Sequence, residues 1–85
     1  MGKGLNMTTQ NTEDMQIVVL RSLAAVPKVK EFRIHEEMLM LDDTPIKYKI
    51  MIKVLSDMVS RRMIKQFMVY DDVANADRVI KIEKL

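Results

Sequence analysis

The stretch that decides the predicted fold is TPIKYKIMIKVLSDMVSR, residues 44–61. Thr44 is a residue type favoured at helix N-caps, and Pro45 follows at the first helical position, where its missing N–H costs nothing. At 100° per residue, the remaining residues separate into an apolar side and a largely polar side. The apolar side holds Tyr48, Met51, Val54, Leu55, Met58 and Val59, and the other side holds Ile46, Lys49, Ile50, Lys53, Ser56, Asp57 and Ser60. The pattern predicts an amphipathic helix over Thr44–Arg61.

Upstream of this helix, the sequence predicts a first helix, a short strand and a second helix. The first helix begins at Asn11 or Thr12, which are good N-cap residues, and ends before Pro27. Phe32 and Ile34 alternate with Glu31 and Arg33, which favours a short half-buried strand. The segment HEEMLML, His35–Leu41, consists largely of good helix formers and predicts a helix of two turns.

Downstream of the Thr44–Arg61 helix, the hydrophobic period changes from 3.6 residues to 2. The segments Ile64–Tyr70 and Arg78–Leu85 are rich in residues that favour strands, and the turn-prone segment DDVANAD joins them. Two strands are only marginally stable alone, so we expect the helices to cover one face of this hairpin.

Length and composition describe one small domain. Residues 1–10 lack periodicity and predict a flexible N-terminal arm, while residues 11–85 form the predicted domain. No apolar run approaches the roughly 20 residues that a membrane span needs. The absence of cysteine excludes disulfides and thiolate metal sites, and it favours a cytoplasmic protein.

Charge is distributed unevenly along the chain, although the formal net charge is only +2. Residues 44–70 contain six basic residues and one acid, whereas residues 71–85 contain three basic residues and four acids. A basic segment in a nearly neutral protein indicates either an anionic partner or a solvated helix face.

The predicted order of elements resembles that of a known family, and the stretch RIHEEMLMLDDTPIKYKIMIKVLSDMVSRRMIKQF (residues 33–67) carries the resemblance. The stretch resembles the winged helix-turn-helix domains of small prokaryotic, archaeal and phage regulators. The shared features are a helix ending in leucines, a polar turn, a helix that starts at Thr44, and a basic residue before a strand. The resemblance implies an α+β fold of three helices, a short strand and a C-terminal two-stranded β-hairpin wing.

The chain departs from the family pattern at two places. The family usually has a glycine after the recognition helix, whereas here Arg61, Arg62 or Met63 must end that helix. The tip of the predicted wing, residues 71–77, carries three aspartates, which would repel phosphate.

The resemblance also implies a function. A DNA-binding transcription regulator of this family inserts its recognition helix, here Thr44–Arg61, into the major groove of double-stranded DNA. Lysines on the exposed face would hold phosphates or guanine edges, and Ile46 and Ile50 would contact thymine methyl groups. The residues expected at the DNA are Thr44, Ile46, Lys47, Lys49, Ile50, Lys53, Arg61, Arg62 and Lys65.

A protein-binding module is the alternative hypothesis, since winged-helix domains serve both purposes. Exposed methionine and isoleucine side chains, together with the acidic wing, would then form the contact surface. The apolar set Ile17–Leu20 widens the buried stripe of the first helix, and it predicts a weak homodimer through that helix.

Catalytic and metal-binding groups are not expected. His35 is the only histidine, and the two glutamates that follow it would point to different sides of a helix. The pairs Asp42-Asp43 and Asp71-Asp72 lie at predicted turns, where aspartate is favoured. No glycine follows Gly4, which excludes a glycine-rich phosphate loop. We therefore expect no enzyme activity, no cofactor and no bound metal.

Overall fold

This computed structural model describes residues 12–85, which form two α-helices and five antiparallel strands. The predicted arm, residues 1–10, lies outside the described residues. In chain order the elements are α1 (Thr12–Ala24), β1 (Val29–Ile34), β2 (Met38–Leu41), β3 (Thr44–Lys47), α2 (Tyr48–Ser60), β4 (Gln66–Asp72) and β5 (Asp77–Glu83), with a 3₁₀ turn at Val73–Asn75. The strands form a three-stranded sheet of order β1-β5-β4 and a separate β2-β3 hairpin.

One face of the three-stranded sheet carries the core. β5 lies between β1 and β4, so that Phe32, Ile80 and Val69 are neighbours in one row across the sheet. Both helices pack on this face. The buried core consists of Met15, Val19, Leu23, Phe32, Ile34, Leu39, Leu41, Ile46, Met51, Val54, Leu55, Met58, Ile64, Ile80 and Ile82. The predicted C-terminal hairpin and the predicted strand at Glu31–Ile34 are both confirmed, with small changes of boundary.

α1 forms where the sequence predicts a helix. It begins at Thr12 and ends at Ala24, before Pro27, and two acids in its first turn interact favourably with the helix dipole. Of the apolar set Ile17–Leu20, expected to mediate a homodimer, Ile17 and Leu20 are 54% and 36% exposed, whereas Val19 is buried and Val18 packs against the core.

The winged helix-turn-helix prediction is wrong, because residues 12–85 contain two helices and not three. Residues 35–41, predicted as a helix, form a bridge between His35 and Met38 and then strand β2. Alternation along β2 places Leu39 and Leu41 in the core and leaves Met40 58% exposed. The helix propensity of this segment is therefore outweighed by a strand pairing that buries both leucines.

One acidic turn connects β1 to β2, and a second connects β2 to β3. Glu36 and Glu37 precede β2 with φ angles of 53° and 67°, and Asp42 and Asp43 follow it with φ angles of 51° and 65°. Positive φ at both central residues is what a two-residue type I′ hairpin requires, and Asn-Gly is the sequence that normally indicates it. Acidic pairs without glycine carry no such signal, which is why sequence patterns favoured a helix here.

α2 is shorter than the helix predicted over Thr44–Arg61, because the first four residues of that segment form β3. Within β3, Ile46 lies opposite Leu39 and is 2% exposed. Pro45 lies in this edge strand, where a missing N–H is tolerated, and not at the start of a helix. Burial of Ile46 against β2 outweighs the local preference of Thr-Pro for a helix N-terminus.

α2 ends in a Schellman motif that lacks glycine. The N–H of Arg62 donates to the carbonyl of Val59 at 3.0 Å, and the N–H of Met63 donates to the carbonyl of Met58 at 2.8 Å. Arg62 itself has a φ angle of 60°. Of the three residues expected to end this helix in place of glycine, Arg62 is therefore the one that adopts the left-handed conformation.

Replacing Arg62 by glycine should raise the free energy of unfolding by about 0.5–1 kcal/mol, because the left-handed cost of about 1–2 kcal/mol to an L-residue exceeds the chain entropy that glycine adds. Arg61→Gly is the comparison, since Arg61 has a φ angle of −86° and should lose stability, both through the added chain entropy and through the lost contact with Asp57. Urea unfolding measures both variants. Similar losses in both would contradict this account of the helix end.

Gln16 forms a buried polar contact between the two helices. It is 2% exposed, and its side-chain amide donates to the carboxylate of Asp57 at 2.6 Å. Because Asp57 and Gln16 lie far apart in the sequence, this hydrogen bond fixes how α1 and α2 sit against each other.

Gln16→Met keeps the length of the side chain but removes the donor. It should lower the free energy of unfolding by about 1.5–3 kcal/mol, the usual range for a hydrogen bond to a charged group. Asp57→Asn keeps an acceptor oxygen and should be the milder change. If thermal unfolding shows Gln16→Met to be as stable as the wild type, packing alone joins the helices.

Candidate nucleic-acid interface

The exposed side of α2 is a polar stripe. Lys49, Lys53, Ser56 and Ser60 follow one another at spacings of four, three and four residues, and all four are exposed. The opposite side of the helix is buried in the core, so the predicted amphipathic pattern is confirmed over α2. Lys49 and Lys53, four residues apart, are direct neighbours on the helix surface.

Lys47 extends this stripe at the N-terminal end of α2. It is the N-cap residue, its backbone is extended (φ −70°, ψ 140°), and no side chain caps the helix. The N–H of Tyr48 donates to the backbone carbonyl of Glu37 at 2.9 Å, and the first turn contains no acid. The positive end of the helix dipole therefore adds to three lysine charges. We call Lys47, Lys49 and Lys53 the basic α2 surface.

Arg78 compensates the acids that border the basic α2 surface. Its guanidinium lies 3.9 Å from the carboxylate of Glu37 and 3.5 Å from that of Asp71. It also lies over the ring of Tyr48, 4.8 Å from the centroid, in a cation–π contact. No local pattern links these residues in the sequence, and sequence reasoning did not identify Arg78 as part of this site.

The lysines of the basic α2 surface form no ion pair with any acid in residues 12–85. Asp57, the one acid of α2, accepts from Gln16 at 2.6 Å and contacts Arg61 at 3.1 Å. Arg62, at the other end of the helix, is exposed and likewise has no acidic partner in the described part of the chain. Asp57 is thus paired with Gln16 and Arg61, and the lysines of α2 have no acidic partner among residues 12–85.

The nine residues predicted at the DNA do not form one surface. Ile46 is buried in the core and is not available for any contact, and Ile50 is half-buried and packs against the core. Thr44 is exposed but lies at the far end of β3 from α2. Lys65 follows the helix and contacts Glu83 at 3.5 Å. Of the nine residues, Lys47, Lys49 and Lys53 lie together at the N-cap and in the first half of α2. Arg61 and Arg62 lie at the other end of the helix.

The turn between β4 and β5 is acidic but internally compensated. The guanidinium of Arg33 donates to the carboxylates of Asp72 at 2.9 Å and Asp77 at 3.4 Å. Hydrogen bonds from the Asn75 amide and from Arg33 hold the pKa of Asp72 below its ordinary value, and the contact with Asp72 raises the pKa of the Arg33 guanidinium. His35 is exposed and lies 3.6 Å from Asp77. These aspartates therefore repel phosphate less than their number alone would indicate.

Glu83 is compensated in the same way at the opposite end of β5. The side-chain amide of Gln66 donates to its carboxylate at 2.7 Å, and the ammonium of Lys65 lies 3.5 Å away. These contacts lower the pKa of Glu83 below its ordinary value.

Acid should destabilise the fold through these carboxylates. Because the pKa values of Asp72 and Glu83 are lowered in the folded protein, their contacts contribute stability above the ordinary carboxyl pKa of about 4, and that contribution is lost as the pH falls through the folded values. Urea unfolding between about pH 5 and pH 2 should show a shallower loss for Asp72→Asn combined with Glu83→Gln than for the wild type. An unchanged slope would mean that other groups cause the acid sensitivity.

No group of three or more His, Cys, Asp or Glu side chains that could hold a metal ion occurs in residues 12–85. Within the same residues, neither helix is long and apolar enough to cross a membrane. Comparison of the chain with protein families, with curated proteins and with solved structures finds no match.

Proposed function

We propose that this chain binds double-stranded DNA through the basic α2 surface and acts as a small DNA-binding regulator. The observation that carries the proposal is that Lys47, Lys49 and Lys53 lie together and exposed, without an acidic partner in residues 12–85. Five other basic residues of the fold contact carboxylates; they are Arg21, Arg33, Arg61, Lys65 and Arg78. Lys28, Lys30 and Lys81 also lack an ion pair within the described part of the chain, but they lie at β1 and β5 and are not grouped on one helix. Uncompensated cations grouped on one helix are the electrostatic footprint of a polyanion site.

The dimensions of α2 suit the major groove. Its 13 residues span about 20 Å, and a helix of about 10–12 Å diameter enters a groove about 12 Å wide. In this arrangement Lys49, Lys53, Ser56 and Ser60 face the DNA, while the buried side of the helix stays in the core. Arg62 supplies a further cation at the other end of the helix.

Such an interface contacts phosphates more than bases. The exposed stripe contains no arginine, asparagine or glutamine, the side chains that form paired hydrogen bonds with guanine or adenine. Lysine binds phosphate as a point charge on a flexible stem. The proposed binding therefore has weak sequence preference. A cytoplasmic location belongs to the same proposal, since a chain without cysteine has no disulfide to form in an oxidising compartment.

Binding to a protein is the second candidate function, and exposed apolar side chains away from α2 favour it. Met40 in the β2-β3 hairpin is 58% exposed, and Val73 in the turn after β4 is 86% exposed. A protein partner would bury these side chains together with the acidic turn, and its affinity would not depend on the lysines of α2.

DNA affinity should fall steeply with salt and with charge reversal on α2. Three to five phosphate contacts imply a slope of log K against log salt of roughly −3 to −4.5. Lys49→Glu and Lys53→Glu should each weaken binding by roughly tenfold or more, because a charge-assisted hydrogen bond is replaced by a repulsion. Fluorescence anisotropy with a labelled random duplex, at two salt concentrations, measures both effects.

Lys81→Glu is the matched control, because it changes the net charge equally on the sheet face opposite to the helices. It should leave DNA affinity nearly unchanged. Lys49→Glu and Lys53→Glu should keep the thermal stability of the wild type within about 0.5 kcal/mol, whereas Lys81→Glu should lower it modestly, because the new carboxylate lies opposite Glu31 on β1. Absence of binding at low salt would rule out the DNA proposal. Equal effects of all three variants would show that net charge, and not the basic α2 surface, governs binding.

A further inference from the structure

β4 is an edge strand whose outer side has no partner strand in residues 12–85. It pairs with β5 on one side, and β1 lies beyond β5, so that β4 ends the three-stranded sheet. The N–H and C=O groups on the free side of an edge strand can pair with a further strand. The edge of β4 is therefore a surface on which a second strand can dock.

The first five residues of β4 lack the features that usually protect an edge strand. These residues, QFMVY (residues 66–70), contain no charge and no proline, and the register of β4 with β5 runs without a bulge. Met68 and Tyr70 in this segment are 55% and 42% exposed. The edge strand β3, in contrast, carries Pro45 and Lys47, two residue types that hinder edge pairing.

We propose that the edge of β4 is a self-association surface, on which β4 of a second copy of this chain pairs in antiparallel orientation about a two-fold axis at Met68. In a two-fold antiparallel pair of identical strands, one residue lies opposite its own copy, and that residue determines the whole register. With Met68 at the axis, the opposite pairs are Phe67 with Val69, Gln66 with Tyr70, and Lys65 with Asp71.

Charge complementarity selects this register over its two neighbours. The side chains of Lys65 and Asp71 are 61% and 76% exposed, and symmetry would bring each of them opposite the other in both copies. An axis at Val69 would place Asp71 opposite Phe67, and an axis at Phe67 would place Lys65 opposite Val69. Of the three registers, the axis at Met68 alone places Asp71 of β4 opposite Lys65, the residue that precedes β4, in both copies.

The same register also joins the apolar sides of the two strands. Phe67 and Val69 are half-buried and pack against the core, and an aromatic residue opposite a β-branched residue is a favourable cross-strand pair. Because directly opposite residues point to the same face of a sheet, both copies keep their helices on one side of a six-stranded sheet. The dimer presents its two basic α2 surfaces on that side.

Sedimentation equilibrium of the full chain over a range of concentrations should show a monomer–dimer equilibrium. Met68→Glu places two carboxylates at the axis and should raise the dissociation constant by at least about tenfold, because like charges across an interface repel. In the monomer the new carboxylate lies opposite Lys81 on β5, which favours retention of the fold. Met40→Glu introduces the same charge at another exposed methionine and should leave the dimer unchanged.

Two results would overturn the proposal. One is a chain that stays monomeric at every concentration. The other is a dimer that Met68→Glu does not weaken; loss of that dimer with Ile17→Glu would assign the contact to α1. Because self-association is measured without DNA, failure of this proposal and failure of the DNA-binding proposal are distinguishable.

Introduced cysteines test the register, because the chain has none of its own. Met68→Cys places two thiols opposite each other, where Cα atoms about 4.5–5.5 Å apart fall within the disulfide range of about 4.4–6.8 Å. Tyr70→Cys is the control on the same face of the strand, because its two thiols would lie about 13 Å apart along the strand direction. Mild oxidation should cross-link Met68→Cys rapidly and Tyr70→Cys slowly. Equal rates would overturn the register.

Discussion

The packing of α1 and α2 against a single face of the β1-β5-β4 sheet is the interaction on which the rest of the structure depends. A domain this short buries only about 60% of its unfolded surface, so its core depends on one side of each helix and one face of the sheet together. On the other sheet face Met68 and Tyr70 remain partly exposed, and no described strand pairs with the outer edge of β4. The same packing turns the lysines of α2 outward, where they stay solvated.

Contacts between distant segments determine the electrostatic character of that outward side. Arg78 contacts Glu37 and Asp71, and Gln16 and Arg61 contact Asp57 within α2. Arg33 contacts Asp72 and Asp77 at the turn after β4. The net charge of +2 therefore understates the contrast between a compensated hairpin turn and an uncompensated helix. Which charges are free to meet a partner follows from these pairings and not from composition.

A second constraint is that the described chain contains no glycine. Left-handed backbone is nevertheless needed at two tight turns, at the end of α2 and at the β4-β5 turn, and six non-glycine residues provide it. Each such residue has an intrinsic cost of about 1–2 kcal/mol, which the burial of the elements it connects must offset. The hairpin turns at Glu36-Glu37 and Asp42-Asp43 exist because they allow Leu39, Leu41 and Ile46 to reach the core.

By itself, the sequence determined the elements whose signals are local. Pro27 limits the C-terminal end of α1, a period of two marks the C-terminal strands, and a period of 3.6 identifies the apolar side of α2. The lysines of the basic α2 surface could be predicted for the same reason. Only the tertiary structure decided the conformation of residues 35–47, where helix propensity and strand pairing compete. The free energy that selects the hairpin comes from burying Leu39, Leu41 and Ile46 against helices and strands distant in the sequence, and no local pattern reports that burial.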